Sequence, residues 1–238
     1  MQIEGQGALV TGASRGLGRA LAEALAAKGA RVALVARGAT ELDRVVAAIR
    51  ARGGIAHAVP GDVANQAHAH AIAGQAQGLV GEIGIAIHAA STLGPTPLRL
   101  LLDTECEDLA PVLETNLVGP FRLTKILAGA MAIRGAGTVI HISSDAAVEP
   151  YPRWGAYGIS KAAQDQLSRI LAAELAETGV GVIAIDPGEM DTQMHADAIP
   201  DADRAALQRP EHVAATIVAM IEANVSRARV IAPSWSAP

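Results

Sequence analysis

Apolar residues fall along this chain in two alternating rhythms. Short, nearly unbroken apolar runs predict strands at Gly7–Thr11, Arg31–Ala36, Ile55–Val59, Ile83–His88, Gly137–Ser143, Gly181–Ile185 and Arg229–Ala232. Between them lie longer segments whose apolar positions recur three and four residues apart, the spacing of a helix buried on one face. That pattern predicts helices over Leu17–Lys28, stopped by Gly29, over Thr40–Arg52, stopped by Gly53-Gly54, and over Ala67–Gln77. A long helical zone covers Glu105–Ala132, where Pro111 and Pro120 are expected to disturb the backbone. Ala156–Glu177 predicts an amphipathic helix with Ile159, Ala163, Leu167, Ile170, Leu171 and Leu175 near one face, and Pro210–Ala223 a last helix with proline in its first turn.

Strands apolar on both faces, alternating with helices, indicate a parallel sheet covered on both sides. No repeat, linker or low-complexity segment interrupts the pattern. The expectation is α/β: a single doubly wound Rossmann-like domain over residues 1–238, with a parallel, seven-stranded sheet flanked by helices. Ligands of such sheets bind beyond the carboxyl ends of the strands, so chemistry is sought just after each strand.

Composition narrows the classes. Aromatics are 2% and the net charge is -5 with no basic cluster, which argues against a nucleic-acid partner. Cys106 is the lone cysteine, which excludes an intrachain disulfide and a cysteine-based zinc site and fits a reducing compartment. His68, His70, Asp62 and Asp103 lack a metal-ligand spacing, so no metal is expected. No apolar run is long enough for a bilayer, and the opening MQIEGQGALVTGAS has no signal-peptide pattern. A soluble cytoplasmic protein is expected.

The first strand runs into T-G-A-S-R-G-L-G, Thr11 to Gly18. Gly12, Gly16 and Gly18 suit a tight turn with close approach to a pyrophosphate, which the next helix would meet with free N–H groups and the positive end of its dipole. The spacing is G-x-x-x-G-x-G rather than G-x-G-x-x-G, and a purely structural turn is the alternative. At the end of the second strand, where an NAD site wants a carboxylate, the chain has Ala36-Arg37 and no acid before Glu41. Arg37 and Arg15 would together favour a 2′-phosphate, hence NADP(H); otherwise both are solvated surface residues. Asp62-Val63, after the third strand, would place a carboxylate at the adenine, or Asp62 caps the next helix.

A second cluster follows the fifth strand, with Ser143 and Ser144 at its end and Tyr157 and Lys161 four residues apart on the next helix. The chain has two tyrosines and three lysines, so this pairing of scarce residues on one helical face stands out. A phenol beside an ammonium is an acid–base pair; an amphipathic helix edge with a snorkelling lysine is the alternative.

Taken together, T-G-A-S-R-G-L-G, E-T-N-L-V-G, I-S-S, Y-G-I-S-K and D-P-G-E-M-D-T resemble the short-chain dehydrogenase/reductase family, in order and separation, from Thr11 to Thr192. The resemblance implies a catalytic set of Asn116, Ser144, Tyr157 and Lys161, with Ser143 the less suited serine. Tyr157 would exchange the proton, Ser144 would bond the substrate oxygen, Lys161 would favour phenolate and bond the nicotinamide ribose, and Asn116 would hold a water linking Lys161 to solvent. A cofactor site is implied at Gly12, Ser14, Arg15, Gly16, Leu17, Gly18, Arg37, Asp62, Val63, Ala89, Tyr157, Lys161, Pro187, Gly188 and Thr192. Pro187-Gly188 and Thr192 would contact the nicotinamide; an ordinary turn and a threonine cap are the alternative.

The implied activity is NADP(H)-dependent interconversion of a small or medium ketone or aldehyde and its alcohol. An NAD-dependent alcohol dehydrogenase and a non-catalytic NADPH-binding sensor are the alternatives. Residues 189–208 would form a substrate lid, whose acids disfavour a highly anionic substrate, and Tyr151 and Trp154 either line its mouth or pack on the surface. The family usually assembles, so a homodimer or homotetramer is expected, paired through spare apolar faces of the long helices. Two segments depart from the family: His88-Ala89-Ala90-Ser91 replaces Asn-Asn-Ala-Gly, and R-V-I-A-P-S-W-S-A-P lacks the Asp-Gly-Gly ending of ketoacyl-carrier-protein reductases. His88 is expected to be a packed, hydrogen-bonded residue, with a pH-sensitive contact as the alternative.

Overall fold

A computed structural model describes residues 1–225 and 228–236. Ala237 and Pro238 of the unusual C-terminal segment lie outside the described residues. Seven parallel strands, β1 (Gly7–Thr11), β2 (Arg31–Ala36), β3 (Ile55–Pro60), β4 (Ile83–His88), β5 (Gly137–Ile142), β6 (Val180–Asp186) and β7 (Arg229–Ile231), form one sheet in the order β3-β2-β1-β4-β5-β6-β7. The order reverses between β1 and β4, whose last residues Thr11 and His88 are register partners. That reversal opens the crevice in which the candidate site lies. Every residue of β1 and β4 is buried, as unbroken apolar runs require of central strands.

Helices cover both faces. On one side α1 (Gly16–Ala27), α2 (Ala39–Ala51) and the last helix, Pro210–Glu222, bury Leu21, Leu25, Val46, Ile217 and Ile221 against Val10, Leu34 and Ile185. On the other, α3 (His68–Val80) and the helices described next pack Ile72, Leu123, Leu127 and Met131 against Leu9, Val35 and Val139. The expected helix at Ala67–Gln77 runs further, to Gly81 at φ 76.

The long helical zone is α4 (Cys106–Leu113), a π-helical turn (Glu114–Val118) and α5 (Gly119–Arg134). Pro111 sits inside α4, while the disturbance falls in the turn before Pro120. Pro120 has no N–H for the Asn116 carbonyl one turn back, so that carbonyl stays open to another donor.

The next helix, α6 (Gly155–Glu174), corrects the expected apolar face. Its buried residues are Tyr157, Ser160, Lys161, Gln164, Asp165 and Ser168, a polar stripe at helical spacing. Leu171 and Leu175 do pack on the core, but Ile159 and Ile170 are exposed. Buried polar groups must be hydrogen-bonded, and the interior partners needed are on β5, on the π turn and in β7. After β6, residues 189–208 form an arch containing α7 (Gln193–Ala198). Its ends are tied by Asp191 N–H donating to the Gln208 carbonyl (2.9 Å) and Gln208 N–H to the Glu189 carbonyl (3.2 Å). The last helix, α8, is the Pro210–Glu222 segment already placed.

Candidate active site

The carboxyl ends of β1, β2, β4, β5 and β6 open into one cleft of about 1280 Å3. At one end lie Gly12, Ser14, Arg15, Gly16, Leu17, Gly18, Arg37, Asp62 and Val63; at the other lie Ser144, Tyr151, Trp154, Tyr157, Lys161 and the arch. Ala89, Pro187, Gly188 and Thr192 lie on the same cleft. All expected cofactor positions are therefore brought together. Asn116 is fully buried beside it.

The glycine turn is spatially required. A Cβ on Gly12 would lie 2.7 Å from the Ala90 backbone N, and one on Gly18 would run into the Gly12 carbonyl. No side chain caps the N-terminus of α1, so its first N–H groups are left for a ligand. Arg19 pairs with Glu23 and Arg209 with Glu211, whereas Arg15 and Arg37 are exposed and have no ion pair among the described residues. Asp62 Oδ1 accepts from Ala64 N–H at 3.0 Å, closing a turn; α3 starts after Ala67, so Asp62 is not its cap. The pattern of uncapped helix, glycine turn and two uncommitted guanidiniums fits a phosphorylated dinucleotide.

At the end of the cleft beside the arch, Tyr157 and Lys161 are 8% and 2% exposed. The Lys161 ammonium lies 5.5 Å from the Tyr157 ring centroid and donates to the Ile142 carbonyl (2.6 Å) and Gln164 Oε1 (3.3 Å). Burial pushes the Tyr157 phenol up to about 12; hydrogen bonding with Ser144 and Ser91 opposes this, while Asp145 and Asp186 add to it. Burial lowers Lys161 to about 8, with Asp165 opposing. Ser143 also borders the cleft but is almost fully buried, whereas the Ser144 hydroxyl is hydrogen-bonded with the phenol, which favours Ser144. Ser144 Oγ donates to Asp145 Oδ1 at 2.9 Å, and Tyr151 OH donates to Asp145 Oδ2 at 2.9 Å.

Asn116 is held on all sides. Its Oδ1 accepts from Ser91 Oγ (3.1 Å) and Thr92 N–H (2.8 Å), and its Nδ2 donates to the Thr92 carbonyl and Ser160 Oγ (both 2.9 Å). The carbonyl that Pro120 leaves open accepts from Gln164 Nε2 at 2.8 Å. Gln164 thus spans Lys161 and the Asn116 carbonyl directly. Ser91 and Gln164 were not singled out in the sequence; the signal was Gln164 lying three residues beyond Lys161 on the same helical face.

Two further groups come from the departing segments. His88 and His141 are fully buried and stacked, ring centroids 5.0 Å apart, with Thr124 Oγ1 within 3.0 and 3.3 Å of their Nε2 atoms. His88 is thus packed and hydrogen-bonded. Arg229 of β7 donates to Asp165 (2.8 Å), Asp186 (3.0 Å) and the Ser144 carbonyl (3.2 Å), and Asp186 Oδ1 in turn accepts from Gly188 N–H (3.0 Å). Thr192 caps α7 by accepting from His195 N–H (3.2 Å) while its methyl faces Gly16. Trp154 lines the cleft and packs with Leu93, Tyr157 and Met194; Tyr151, 46% exposed, bonds Asp145 at its mouth.

The profile of the short chain dehydrogenases matches residues 6–203. A 3-oxoacyl-[acyl-carrier-protein] reductase from Synechocystis is 38% identical over 90% of this chain and 88% of its own. A 2,3-dihydro-2,3-dihydroxybenzoate dehydrogenase from Bacillus subtilis is 34% identical over 81% and 72%. A structure assigned to an NAD(P) dependent gluconate 5-dehydrogenase from Beutenbergia cavernae, with bound NADP at low occupancy, superposes with a TM-score of 0.88 at 28% identity, over 98% of this chain and 97% of that one.

Proposed function

Because this chain belongs to the short chain dehydrogenase family, we propose that it is an NADP(H)-dependent enzyme that interconverts a ketone or aldehyde and its alcohol, working in the cell as a reductase. The observation that carries the reading is the convergence of Ser144, Tyr157 and Lys161 at one end of a cleft whose other end holds Arg15 and Arg37, without ion-pair partners among the described residues. The relatives named above act, by their names, on carbonyl or hydroxyl compounds, which suits the reaction class.

NADP(H), when bound, supplies or receives the hydride. Gly12, Ser14, Gly16, Leu17 and Gly18 would cradle its pyrophosphate, Arg15 and Arg37 its 2′-phosphate, and Asp62 and Val63 its adenine. Ala89, Pro187, Gly188 and Thr192 would wall the nicotinamide end. A carbonyl gaining hydride develops charge on oxygen, which Ser144 would stabilise by donating its O–H. Tyr157, held as a phenol by burial, would give that oxygen its proton. A phenol at about 12 is a poor base at neutral pH, which suits proton donation and hence the reduction direction. Lys161 would provide the positive charge that eases proton release, and one of its three N–H groups has no partner among the described residues. Asn116 would fix the Ser91–Thr92 wall, and the 189–208 arch would close over the substrate as a lid. The absence of a helix long and apolar enough for a membrane, among the described residues, suits a cytoplasmic enzyme.

The test is NADPH oxidation against a panel of ketones, diketones, aldehydes and a β-ketoacyl thioester, with Tyr157→Phe alongside. Turnover lost by about a thousandfold or more in the variant, with NADPH still bound, is the expected result, since the proton donor is gone while the cradle is intact. NADPH binding without turnover of any carbonyl would favour a sensor instead.

A further inference from the structure

Asp145 follows the catalytic serine directly and opens a short 3-10 turn, Asp145–Ala147. It lies on the cleft beside Ser144, Tyr151 and Tyr157, half-buried and without a cationic partner among the described residues. Its Oδ1 accepts from Ser144 Oγ (2.9 Å) and Ala146 N–H (2.8 Å), and its Oδ2 from Tyr151 OH (2.9 Å).

This arrangement sets a problem for the reaction. A serine hydroxyl has one proton, and here that proton is given to Asp145. To stabilise a substrate oxygen, Ser144 must turn its O–H away, which strips a charge-assisted hydrogen bond from a half-buried carboxylate. A substrate that brings its own donor to the same spot restores the bond. Ser144 Oγ and Asp145 Oδ1 are one hydrogen-bond length apart, so carbonyl oxygen and donor must be comparably close. A hydroxyl on the carbon next to the carbonyl meets that condition.

From this match we propose that Asp145 receives a hydroxyl adjacent to the reacting carbonyl, so that the substrate is an α-hydroxy ketone or aldehyde and the product a vicinal diol. The proposal rests on the reductase reading and narrows it. Lys161 already places an ammonium in this part of the cleft, which disfavours an amine as the donor. An anionic donor chain is disfavoured too, because Glu189, Asp191 and Asp197 line the same end, and Arg204 is held by Asp191 at 2.7 Å. Asp145 takes no proton and gives none; it is a specificity residue that frees Ser144.

The experiment compares 3-hydroxybutan-2-one with butan-2-one, using NADPH, in wild type, Asp145→Asn and Asp145→Ala. In the alanine variant Ser144 Oγ still accepts from Ala146 N–H (3.2 Å), so the turn keeps a cap. Wild type is expected to favour the hydroxyketone in kcat/KM by about tenfold or more, the worth of one charge-assisted hydrogen bond. Both variants should shrink that ratio, chiefly through KM for the hydroxyketone, and butane-2,3-diol should inhibit wild type better than butan-2-ol. Equal use of the two ketones by wild type, or a ratio unchanged in both variants, overturns the assignment of Asp145 and leaves the reductase reading standing. Failure to reduce any carbonyl, with NADPH bound, overturns both.

Discussion

Tyr157 and Lys161 carry opposite burial effects from one helical face. Taking charge out of water favours the neutral form of each, so the phenol rises and the ammonium falls. The lysine result has a direct consequence. Lys161 is charged below about pH 8 and neutral above it, so kcat/KM for reduction, which reports the free enzyme, should hold steady through neutral pH and fall as pH rises through that value. A pH profile in which reduction instead strengthens above pH 8 would deny Lys161 its role as the working cation. At the far end of the cleft, Arg37→Asp replaces a phosphate-seeking fork by a ribose-seeking carboxylate. The NADPH/NADH ratio of kcat/KM should drop by about tenfold or more, and an unchanged ratio would show that Arg37 does not read the 2′ position. That Tyr157 and Lys161 stand together was legible because tyrosine and lysine are scarce here and their spacing is helical. Gln164 was not, because its value depends on which carbonyl Pro120 leaves free, a fact of packing rather than of pattern.

Among the elements, strand and helix order followed directly from apolar rhythm, since central parallel strands must be apolar on both faces. The face of α6 did not. Hydropathy puts Ile159 and Ile170 inward, yet the buried stripe is polar because β5, the π turn and β7 offer it partners. Part of that stripe serves the two histidines. Ser168 Oγ donates to the Gln164 carbonyl (2.8 Å), so it accepts from His141 Nδ1 (2.9 Å); Thr124 then donates to His141 Nε2 and accepts from His88 Nε2. These tautomers are assigned from the network, and they leave His88 Nδ1 bare and without a partner among the described residues. Burial lowers His88 from 6.5 to about 4, and lowers His141 well below its usual value through burial, His88 and Lys161. For a lowered histidine the unfolded chain binds the extra proton first. The stability is therefore fully present above about pH 6.5 and is lost as pH falls towards 4, by about 3 kcal/mol for His88 alone. Urea unfolding of wild type and His88→Asn across this window should show a shallower acid slope in the variant; parallel slopes would mean that His88 is not neutral in the fold.

For the whole molecule, α6 turns a polar stripe inward and leaves isoleucines among the exposed residues of its outer face. Ile159 and Ile170 lie three turns apart on the same side of α6, 43% and 46% exposed, and α5 leaves Phe121 at 38% and Ile133 at 90%. Scattered exposed apolar residues are ordinary, but two in register on one helix form a seam that a second helix can fill. A second copy of the chain presents the same seam, and a two-fold axis lets it pair with itself. Such an interface would also bear on the site, because Tyr157 and Lys161 stand on the opposite face of the same helix and would be held more firmly by a clamped α6. The expectation is a dimer or tetramer by light scattering, with a melting temperature that rises with protein concentration. Ile170→Glu places a charge in the seam without touching the cleft, and should shift the assembly towards monomer. A wild-type chain that is monomeric at micromolar concentration, with a melting temperature indifferent to dilution, would leave the seam an exposed surface and the catalytic helix supported by its own polar partners alone.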